Sequence, residues 1–435
     1  MADQLNPRMP ARFVDLKRTI AAAYPDFEAR ITRAWAEILD ELDVASKTIA
    51  AEGPNIIPQV QFADLASLSG EQIDNIKRRG CVVIRDVVDD EEVAGWKSSL
   101  DEFVKANPDV PGLPDDDKQF FHLYWTKAQV LARAHPNVLN ATTFLNNLYH
   151  TKDGKAPDGV DLSAPLSYAD RFRIRRPGVA WEVHPPHIDG GAIERWEDET
   201  FRQCFADILS GDWRKHDAYD LEDRINARSS LYGRPGQATV FRTYQGWLAL
   251  SPTGPRQGTI QFFPDVLLSN AYLILRPFFS YRAPSAPTPA SALEASNWTY
   301  DISTPDFPGI FAVNGGFAGR LTVKDHPHLR LDTTMTSVPD VGAGDMVFWH
   351  CDLVHSVETV HTGAHDSAVM YIPAVPTTPQ NAAYIARQNA AFVAGVTPPD
   401  FGSMRPESVY VGTGTPGDVH GALGRRAMGF EVEVA

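Results

Sequence analysis

The sequence predicts an α+β protein in which helices come first and many short strands follow, so that the sheet core forms a sandwich or small barrel. Two observations lead to this prediction. Apolar side chains recur at helical spacing within residues 11–50, which is typical of amphipathic helices. Beyond residue 170 the apolar runs are short, rich in β-branched and aromatic residues, and bounded by glycine and proline, which is typical of strands.

The N-terminal residues 1–55 are predicted to form a helical extension that packs on the main domain. Its periodic apolar residues are Phe13, Leu16, Ile20, Ala23, Ile31, Trp35, Ile38 and Leu42. Further along, we expect a helix that ends near Arg79-Gly80, a buried strand over Cys81–Arg85, and a helix that begins among the acids Asp89 to Glu92. Glycine ends helices readily, β-branched residues favour strands, and acidic side chains stabilise helix N-termini.

The main domain is predicted to span residues 56–380. Within it, residues 192–230 are polar and helix-like and are expected to form a helical insertion, and residues 281–306 contain a loop rich in proline, alanine and serine. Strand-like sequence resumes beyond this loop, so we do not expect it to divide the domain. Residues 381–435 are expected to form a C-terminal helix and a tail.

Charge and cysteine content narrow the class of protein. The formal net charge is −15, with both signs interspersed, which argues against a nucleic-acid binder because such proteins carry a concentrated basic face. The 3 cysteines lie far apart, which indicates a reducing compartment without a disulfide framework. The N-terminus lacks the apolar core of a signal peptide, and no apolar run is long enough to cross a bilayer. We therefore expect a cytoplasmic protein without membrane contact.

The sequence His187-Ile188-Asp189 is the first candidate for a metal site. In a strand, residues i and i+2 point to the same side, so this imidazole and carboxylate are able to bind one metal ion. By itself the motif is weak, because a chain with 13 histidines contains about one such triplet by chance, and a second triplet occurs at His350-Cys351-Asp352. The glycines that follow at Gly190-Gly191 favour a functional interpretation, since backbone turns sharply and approaches ligands closely at glycine.

Three stretches of the chain resemble the iron(II)/2-oxoglutarate-dependent dioxygenases of the phytanoyl-CoA hydroxylase type. They are the strand and helix that begin at Gly80, the pattern of tryptophan, alanine-leucine, turn and glycine that begins at Trp247, and the glycine-aspartate turn, apolar strand and histidine that end at His355. Within that superfamily the chain is most similar to a branch of bacterial and fungal proteins described only as a domain of unknown function. The resemblance covers roughly residues 60–375 and implies a double-stranded β-helix, a jelly-roll or cupin-like core with flanking helices.

The resemblance also implies a metal site and a reaction. His187, Asp189 and His355 are expected to hold iron(II), and 2-oxoglutarate and dioxygen are the expected co-substrates. His350 competes with His355 for the third position, but His355 stands where the family has its distal histidine, after the apolar strand and a short connection. The expected reaction oxidises a C–H bond of a small substrate by hydroxylation, desaturation or cyclisation. The arginines near the motif favour an acidic or amino-acid-like substrate.

The sequence departs from the family at the residue that binds the distal carboxylate of 2-oxoglutarate. Relatives often carry an arginine shortly after the distal histidine, whereas Asp366 to Val369 occupy that place here. The candidates for this role are Arg242, Arg173, Arg175 and, as a hydrogen-bond donor, Ser367. Arg242 is the first choice, because an arginine within an otherwise apolar strand needs a partner. The planar guanidinium also suits a carboxylate bidentately.

Four further side chains are candidates for the substrate pocket, although large aromatic residues are more often part of a core: Tyr124, Trp125, His184 and Trp247. Two alternatives remain open beside the oxygenase hypothesis. The missing arginine favours a cupin-type metal enzyme that does not use 2-oxoglutarate. A non-catalytic binding protein with the same fold is the second alternative. The oligomeric state is not predicted.

Overall fold

The first helices and strands form where local chemistry predicts them. Helix α3 ends at Arg79, and Gly80 follows in the left-handed region with φ +67°. Strand β2 then spans Cys81–Arg85. Helix α4 begins at Asp90, and the Asp89 carboxylate accepts hydrogen bonds from the backbone N–H groups of the next turn. The predicted end of α3, both bounds of β2 and the predicted start of α4 are therefore confirmed.

The computed structural model describes residues 9–283 and 286–431. Residues 1–8, 284–285 and 432–435, which belong to the predicted extension, loop and tail, lie outside the described residues. The helices are α1 Arg12–Ala22, α2 Phe27–Glu52, α3 Gly70–Arg79, α4 Asp90–Ala106, α5 Lys127–Ala134, α6 Pro136–Asn146, α7 Glu194–Glu197, α8 Glu199–Gln203, α9 Ala206–Leu209, α10 Val266–Leu275, α11 Pro289–Ala292, α12 Leu331–Thr334, α13 Pro379–Ala394 and α14 Ala422–Ala427. None of the helices in these ranges combines the length and apolar character that a membrane span requires.

The strands are short and belong to several sheets. They are β1 Gln59–Gln61, β2 Cys81–Arg85, β3 Gly112–Leu113, β4 Phe120–Phe121, β5 Asp161–Leu166, β6 Phe172–Arg175, β7 Tyr244–Ala249, β8 Ile260–Phe262, β9 Phe279–Tyr281, β10 Trp298–Tyr300, β11 Ile310–Val313, β12 Gly316–Gly319, β13 Thr336–Ser337, β14 Met346–His350, β15 His355–Val357, β16 Ser367–Tyr371 and β17 Val375–Thr377. The protein thus has the mixed α+β architecture that the sequence predicts.

Two sheets position the site. The larger sheet has 8 strands in the order β1-β2-β14-β7-β16-β6-β4-β3, and a smaller sheet has 3 strands in the order β13-β8-β15. Strands β7 and β8 are consecutive in the chain, as predicted, but they belong to different sheets. The segment between them therefore crosses from one sheet to the other.

The register of the larger sheet decides which side chains share a face. Arg173 on β6 lies directly opposite Val369 on β16, and Val369 lies opposite Ala249 on β7. Tyr371, two residues along β16, lies opposite Trp247. Residues directly opposite in antiparallel strands point to the same side, and so do residues two apart in one strand.

Several predicted segments differ in detail from the structure. The N-terminal helical stretch consists of two helices, α1 and α2, because the chain turns between them at Asp26, which has φ +52°. The insertion 192–230 is α-helical only as far as Leu209. The region 281–306 contains β10, which pairs with β9. The C-terminal helix α13 begins at Pro379, and a short helix α14 follows it.

The two N-terminal helices belong to the same hydrophobic core as the larger sheet. Trp35 of α2 is 1% exposed. Its ring stacks on Phe279 with a centroid separation of 4.6 Å and on Tyr272 with a separation of 5.6 Å. The extension therefore shares its apolar contacts with β9 and α10.

Candidate metal centre

Three predicted ligands converge at one point between the two sheets. The Nε2 atom of His187 lies 3.5 Å from Oδ1 of Asp189, and the Nε2 atom of His355 lies 3.3 Å from Oδ2 of Asp189. The ligand atoms of the three residues all lie within 4.8 Å of one another. Ligands bound about 2.1 Å from one metal ion at right angles are roughly 3 Å apart, so this spacing suits a shared ion.

A short β-bridge brings the two histidines together. The backbone N–H of His187 donates to the carbonyl of His355 over 2.9 Å, and the N–H of His355 donates to the carbonyl of His187 over 3.0 Å. The sequence predicts His187 and Asp189 on one strand, but only His187 is paired and Asp189 lies in a bend. The bridge to β15, rather than strand periodicity, therefore sets the position of His187 beside His355.

The ring orientations leave one nitrogen of each histidine free. Nδ1 of His187 lies 2.6 Å from the carbonyl of Pro185, and Nδ1 of His355 lies 2.9 Å from the carbonyl of Leu353. A carbonyl oxygen only accepts hydrogen bonds, so each Nδ1 carries the proton. Each Nε2 is therefore the ring nitrogen that faces Asp189, which is the arrangement that outer hydrogen bonds impose on metal-binding histidines.

Asp189 is held in place by backbone geometry and by a buried ion pair. Gly190 and Gly191 follow it with φ +73° and +100°, a conformation that favours glycine. Nη2 of Arg195 donates to the carbonyl of Asp189 over 3.0 Å, and Nη1 of Arg195 donates to the Asp352 carboxylate over 2.6 Å. The turn predicted at the glycines is confirmed, and it directs the Asp189 carboxylate toward the histidines.

The protonation states of His187 and Asp189 suit a cation. Burial, together with the nearby His355 ring, lowers the pKa of His187 to about 4, so this ring is neutral at neutral pH. Burial raises the pKa of Asp189, but the facing His187 and His355 rings outweigh it and hold this pKa well below its usual range. An ionised carboxylate beside a neutral imidazole is ready to bind a metal ion without first losing a proton.

The three residues face a cavity of about 500 Å³. Among the described residues, its charged lining consists of Arg171, Arg173, Arg234, Arg242, Arg320, Asp170 and Asp189. The aromatic residues of its wall include Phe120, Tyr168, Trp247, Trp349 and Tyr371. Walls of this kind exclude water around a few polar groups, as in most small-molecule sites.

Arg173 has no partner in the described protein although it is almost fully buried. Its exposed fraction is 1%, and its Nε and Nη2 atoms lack any hydrogen bond. The side chain lines the cavity from the middle of the larger sheet. A buried guanidinium without an acceptor is costly, so a ligand in the cavity is the natural partner for Arg173.

The four residues predicted to bind the co-substrate differ in where they lie relative to the cavity. Arg242, the first choice, also lines the cavity, but it lies before β7 rather than inside the apolar strand. Arg175 is absent from the cavity wall and donates to the backbone carbonyls of Glu358 and Val179 over 3.0 and 3.1 Å. Arg175 lies two residues beyond Arg173 on β6, which places it about 6.6 Å further along the strand. Ser367, opposite Arg175, donates to Thr253 over 2.8 Å and also lies outside the wall.

The predicted pocket residues divide into two groups. Trp247 and His184 line the cavity. Nε1 of Trp181 donates to Nδ1 of His184 over 3.0 Å, and burial keeps the pKa of His184 well below its usual value. A neutral His184 therefore faces the cavity beside Arg173.

Tyr124 and Trp125 do not line this cavity, contrary to the prediction. Their rings pack on Phe401 and Phe392 with centroid separations of 4.5 and 4.8 Å. Nε1 of Trp125 donates to the carbonyl of Val396 over 2.7 Å. These two residues immediately precede the N-cap of α5, and that helix directs them toward a separate C-terminal core.

Some residues of the cavity wall were not predicted from the sequence. Gln245 and Trp349 lie opposite each other on β7 and β14, and their side-chain nitrogens are buried without a partner. Gln245 precedes Trp247 by two residues, so strand alternation would have indicated it once Trp247 was chosen. Arg234 and Arg320 lie outside strands, and no local pattern marks them.

The second histidine triplet is a buried structural network. Asp352 lies between Arg195 and Arg224, with both guanidinium groups bound to its carboxylate. Nδ1 of His350 accepts from the backbone N–H of Asp352 over 3.1 Å, and its Nε2 contacts the Tyr149 hydroxyl at 2.6 Å. Both ring nitrogens of His350 thus have protein partners, unlike Nε2 of His355.

Comparison with known proteins shows relatives along almost the whole chain. The Gig2-like family model matches residues 7–430. The uncharacterized protein YbiU of Escherichia coli (strain K12) is 32% identical over 399 residues, which cover 88% of each chain. The crystal structure of the GlcNAc Inducible Gene 2 protein of Candida albicans has a TM-score of 0.86 and 31% identity, covering 99% of this chain and 92% of that one. A protein from Salmonella typhimurium LT2, named as a candidate oxidoreductase, has a TM-score of 0.78 and 29% identity, covering 98% of this chain and 99% of that one. This chain belongs to the Gig2-like family.

Proposed function

We propose that the protein is an iron(II)/2-oxoglutarate-dependent oxygenase whose active site is the cavity at His187, Asp189 and His355. One observation carries the proposal. Two histidines and a carboxylate converge on one side of a cavity that also contains a buried arginine without a protein partner. The relationship to a candidate oxidoreductase agrees with this reaction class.

The donor set suits iron(II). Two imidazole nitrogens and one carboxylate form a facial set that leaves the remaining coordination positions open, which is the arrangement of non-haem iron(II) oxygenases. The hydrogen bonds from Nδ1 to Pro185 and Leu353 already orient both rings. His187, Asp189 and His355 would therefore bind the ion with little rearrangement of their side chains.

Arg173 would bind the distal carboxylate of 2-oxoglutarate. It lies directly opposite Val369, within the segment that holds an arginine in related dioxygenases, and it points to the same side of the sheet. An arginine on β6 therefore supplies the charge that β16 lacks. The unpartnered nitrogens of Gln245 and Trp349 face the same cavity and would donate to the remaining oxygens of the co-substrate.

The remaining wall residues would position the substrate and exclude water. Iron(II) with bound 2-oxoglutarate supplies the chemistry that activates dioxygen and oxidises a C–H bond. Trp247 and Phe120 restrict solvent in the cavity, and His184 offers a neutral polar group beside the metal ligands. Such enclosure suppresses side reactions of the activated oxidant.

A double-stranded β-helix is the architecture that we propose for the core. The cavity lies between the larger sheet, which contributes Arg173, Trp247 and Trp349, and the smaller sheet, which contributes Ile260 and His355. Two sheets that enclose a site at their open end are typical of jelly-roll enzymes.

Anaerobic titration tests the proposal directly. Iron(II) and then 2-oxoglutarate are added to metal-free protein, and the visible spectrum is recorded for the weak charge-transfer band of the chelate. We expect the band in the natural protein and its loss in Asp189→Ala and His355→Ala, because each removes a metal ligand. His350→Ala serves as the control and should keep the band, since His350 faces Tyr149 rather than the cavity.

The same titration separates the alternatives. Protein that binds iron(II) but gives no spectral or calorimetric response to 2-oxoglutarate would be a metal enzyme of another type. If the protein binds no iron(II) at all, the result would favour the alternative of a non-catalytic binding protein with the same fold. If His355→Ala retains iron and His350→Ala loses it, the metal site would be the second triplet, His350-Cys351-Asp352.

A further inference from the structure

The cavity carries more positive charge than iron and 2-oxoglutarate account for. Within the described part of the chain, its wall contains 5 arginines and 2 aspartates, which leaves an excess of three positive charges. Iron(II) and 2-oxoglutarate carry equal and opposite charges, so their binding leaves this excess unchanged. The rest of the protein does not share this bias, because the formal net charge of the chain is −15.

Four of these arginines lack a carboxylate partner. Arg171 pairs with Asp170 over 2.7 Å. In residues 9–283 and 286–431, the guanidinium groups of Arg173, Arg234, Arg242 and Arg320 form no ion pair within 4.0 Å, and no side-chain hydrogen bond to the protein is found for them. Arg173 is buried, and the other three are half-exposed where they line the cavity.

The other three arginines come from segments outside the strands of the larger sheet. Arg173 projects from the middle of the larger sheet, beside His184 and Tyr371. Arg320 directly follows β12, and the next residue donates its backbone N–H to the carbonyl of Pro186, immediately before the metal ligand His187. Arg320 therefore enters the cavity from a hairpin, on the side of the metal ligands.

Arg234 and Arg242 form the wall near the C-terminal segment. The guanidinium of Arg242 lies 5.8 Å from the ring centroid of Tyr168. The backbone N–H of Gly236, close to Arg234 in the chain, donates to the carbonyl of Asp400 over 2.7 Å. The Nε atom of Arg234 is buried and has no hydrogen-bond partner in the described chain. Both side chains thus face the cavity from the loop that precedes β7.

We propose that Arg234, Arg242 and Arg320 form a second anion subsite, which binds a dianionic group of the substrate, a phosphate or a pair of carboxylates. The inference rests on the proposed function in so far as the occupant of this subsite is the substrate of the iron centre. Guanidinium groups bind phosphate and carboxylate oxygens through paired hydrogen bonds. A dianion would neutralise most of the excess charge, whereas a neutral or cationic substrate would leave the three half-exposed arginines, including the buried Nε of Arg234, without an anionic partner.

Calorimetry on metal-free protein tests the subsite independently of iron. The probes are methyl phosphate, malonate and acetate, titrated at pH 8 and constant ionic strength. We expect at least one of the two dianions to bind clearly more tightly than acetate. Tighter binding of methyl phosphate assigns a phosphorylated substrate, and tighter binding of malonate assigns a dicarboxylate. Equal affinity of acetate and both dianions, or no binding of either dianion at millimolar concentration, would overturn the proposal.

Variants locate the binding within the cavity. Arg234→Gln, Arg242→Gln and Arg320→Gln should each weaken dianion binding by about tenfold or more, since hydrogen bonds to charged groups are strong. Arg18→Gln on the exposed face of α1 is the matched control and should bind as the natural protein does. Thermal unfolding of each variant verifies that it is folded.

Arg173→Gln distinguishes failure of this inference from failure of the proposed function. It should weaken methyl phosphate binding clearly less than each of the three subsite variants does, because the second subsite does not include Arg173. If Arg173→Gln and the three subsite variants lose the same amount of dianion affinity, the proposal of two separate subsites is wrong. If dianion binding depends on the three arginines while iron and 2-oxoglutarate do not bind, the anion subsite stands and the oxygenase proposal fails.

Discussion

Arg173 and Val369 lie directly opposite each other on neighbouring strands, so their side chains share one face of the larger sheet. The segment from Asp366 to Val369 offers no cation for a co-substrate. The guanidinium of Arg173 occupies the same face from the next strand and is 1% exposed. Under the proposed function, Arg173 on β6 would bind the carboxylate that the segment Asp366 to Val369 leaves without a cation.

Replacement of Arg173 by glutamine tests this position. We expect Arg173→Gln to weaken 2-oxoglutarate binding by about tenfold or more, because a charge-assisted hydrogen bond is worth about 1.5–3 kcal/mol. Iron(II) affinity should stay the same, since Arg173 is not a metal ligand. Both affinities are measured by anaerobic titration. Arg242→Gln is the matched control within the same cavity, and a large loss in this variant alone would return the role to Arg242.

At the level of elements, one carboxylate, that of Glu407, joins the C-terminal segment by hydrogen bonds to the residues that precede α5. Glu407 accepts the backbone N–H groups of Tyr124 and Trp125, each over 2.9 Å. Burial is the main influence on this group and raises the pKa of Glu407 to about 7, against an ordinary value of 4.5. The aromatic pair that the sequence assigns to the pocket is therefore part of this attachment.

The raised pKa of Glu407 predicts a specific pH dependence of stability. Between about pH 4.5 and pH 7 the folded protein binds more protons than the unfolded chain, so the contribution of Glu407 to the free energy of unfolding falls as pH rises. The fall amounts to at most about 3 kcal/mol and is complete above the folded pKa. Urea unfolding at several pH values measures the slope of the free energy of unfolding against pH. The natural protein should show the decrease that Glu407 causes, and Glu407→Gln should lack it.

Glu71→Gln on the exposed first turn of α3 is the control for this experiment, and it should unfold with the slope of the natural protein. Glutamine at position 407 accepts only one of the two N–H groups, so Glu407→Gln is also expected to lose a constant amount of stability at every pH. An unchanged slope in Glu407→Gln would contradict the pKa assignment.

At the scale of the whole molecule, the N-terminal helices and the sheet stabilise one another through a shared core. The ring of Trp35 contacts Phe279, Tyr272 and His328, with centroid separations of 4.6, 5.6 and 5.1 Å. These partners belong to segments that follow residue 270 in the chain. The extension is thus held by contacts that are distant in sequence.

Trp35→Ala should reduce the free energy of unfolding by about 3–5 kcal/mol, because it removes a buried aromatic ring and leaves a cavity. Val44→Ala on the same helix is the control, since Val44 is 62% exposed, and its effect should stay within about 0.5 kcal/mol. Denaturant unfolding measures both, and iron(II) affinity at low temperature should match that of the natural protein. A loss of iron affinity without a loss of stability would instead connect these helices to the site.

Local features of the chain were predictable because their causes are local. Gly80 ends α3 and Asp89 caps α4, so these bounds follow from neighbouring residues. The resemblance to known dioxygenases identified His187, Asp189 and His355 as candidate ligands, and the structure brings them together. Their role in binding iron stays a prediction.

The sequence by itself indicated the α+β class and the elements around Gly80 and Asp89, because periodicity and turn residues are local properties of the chain, and its resemblance to the dioxygenases indicated the three candidate metal ligands. Only the tertiary structure decided that Arg173 rather than Arg175 faces the cavity, since this depends on how far along β6 each residue lies. It also decided that Arg234 and Arg320, from separate loops, both line the cavity. Residues in separate loops come together only through folding, and no local pattern encodes the distance between them.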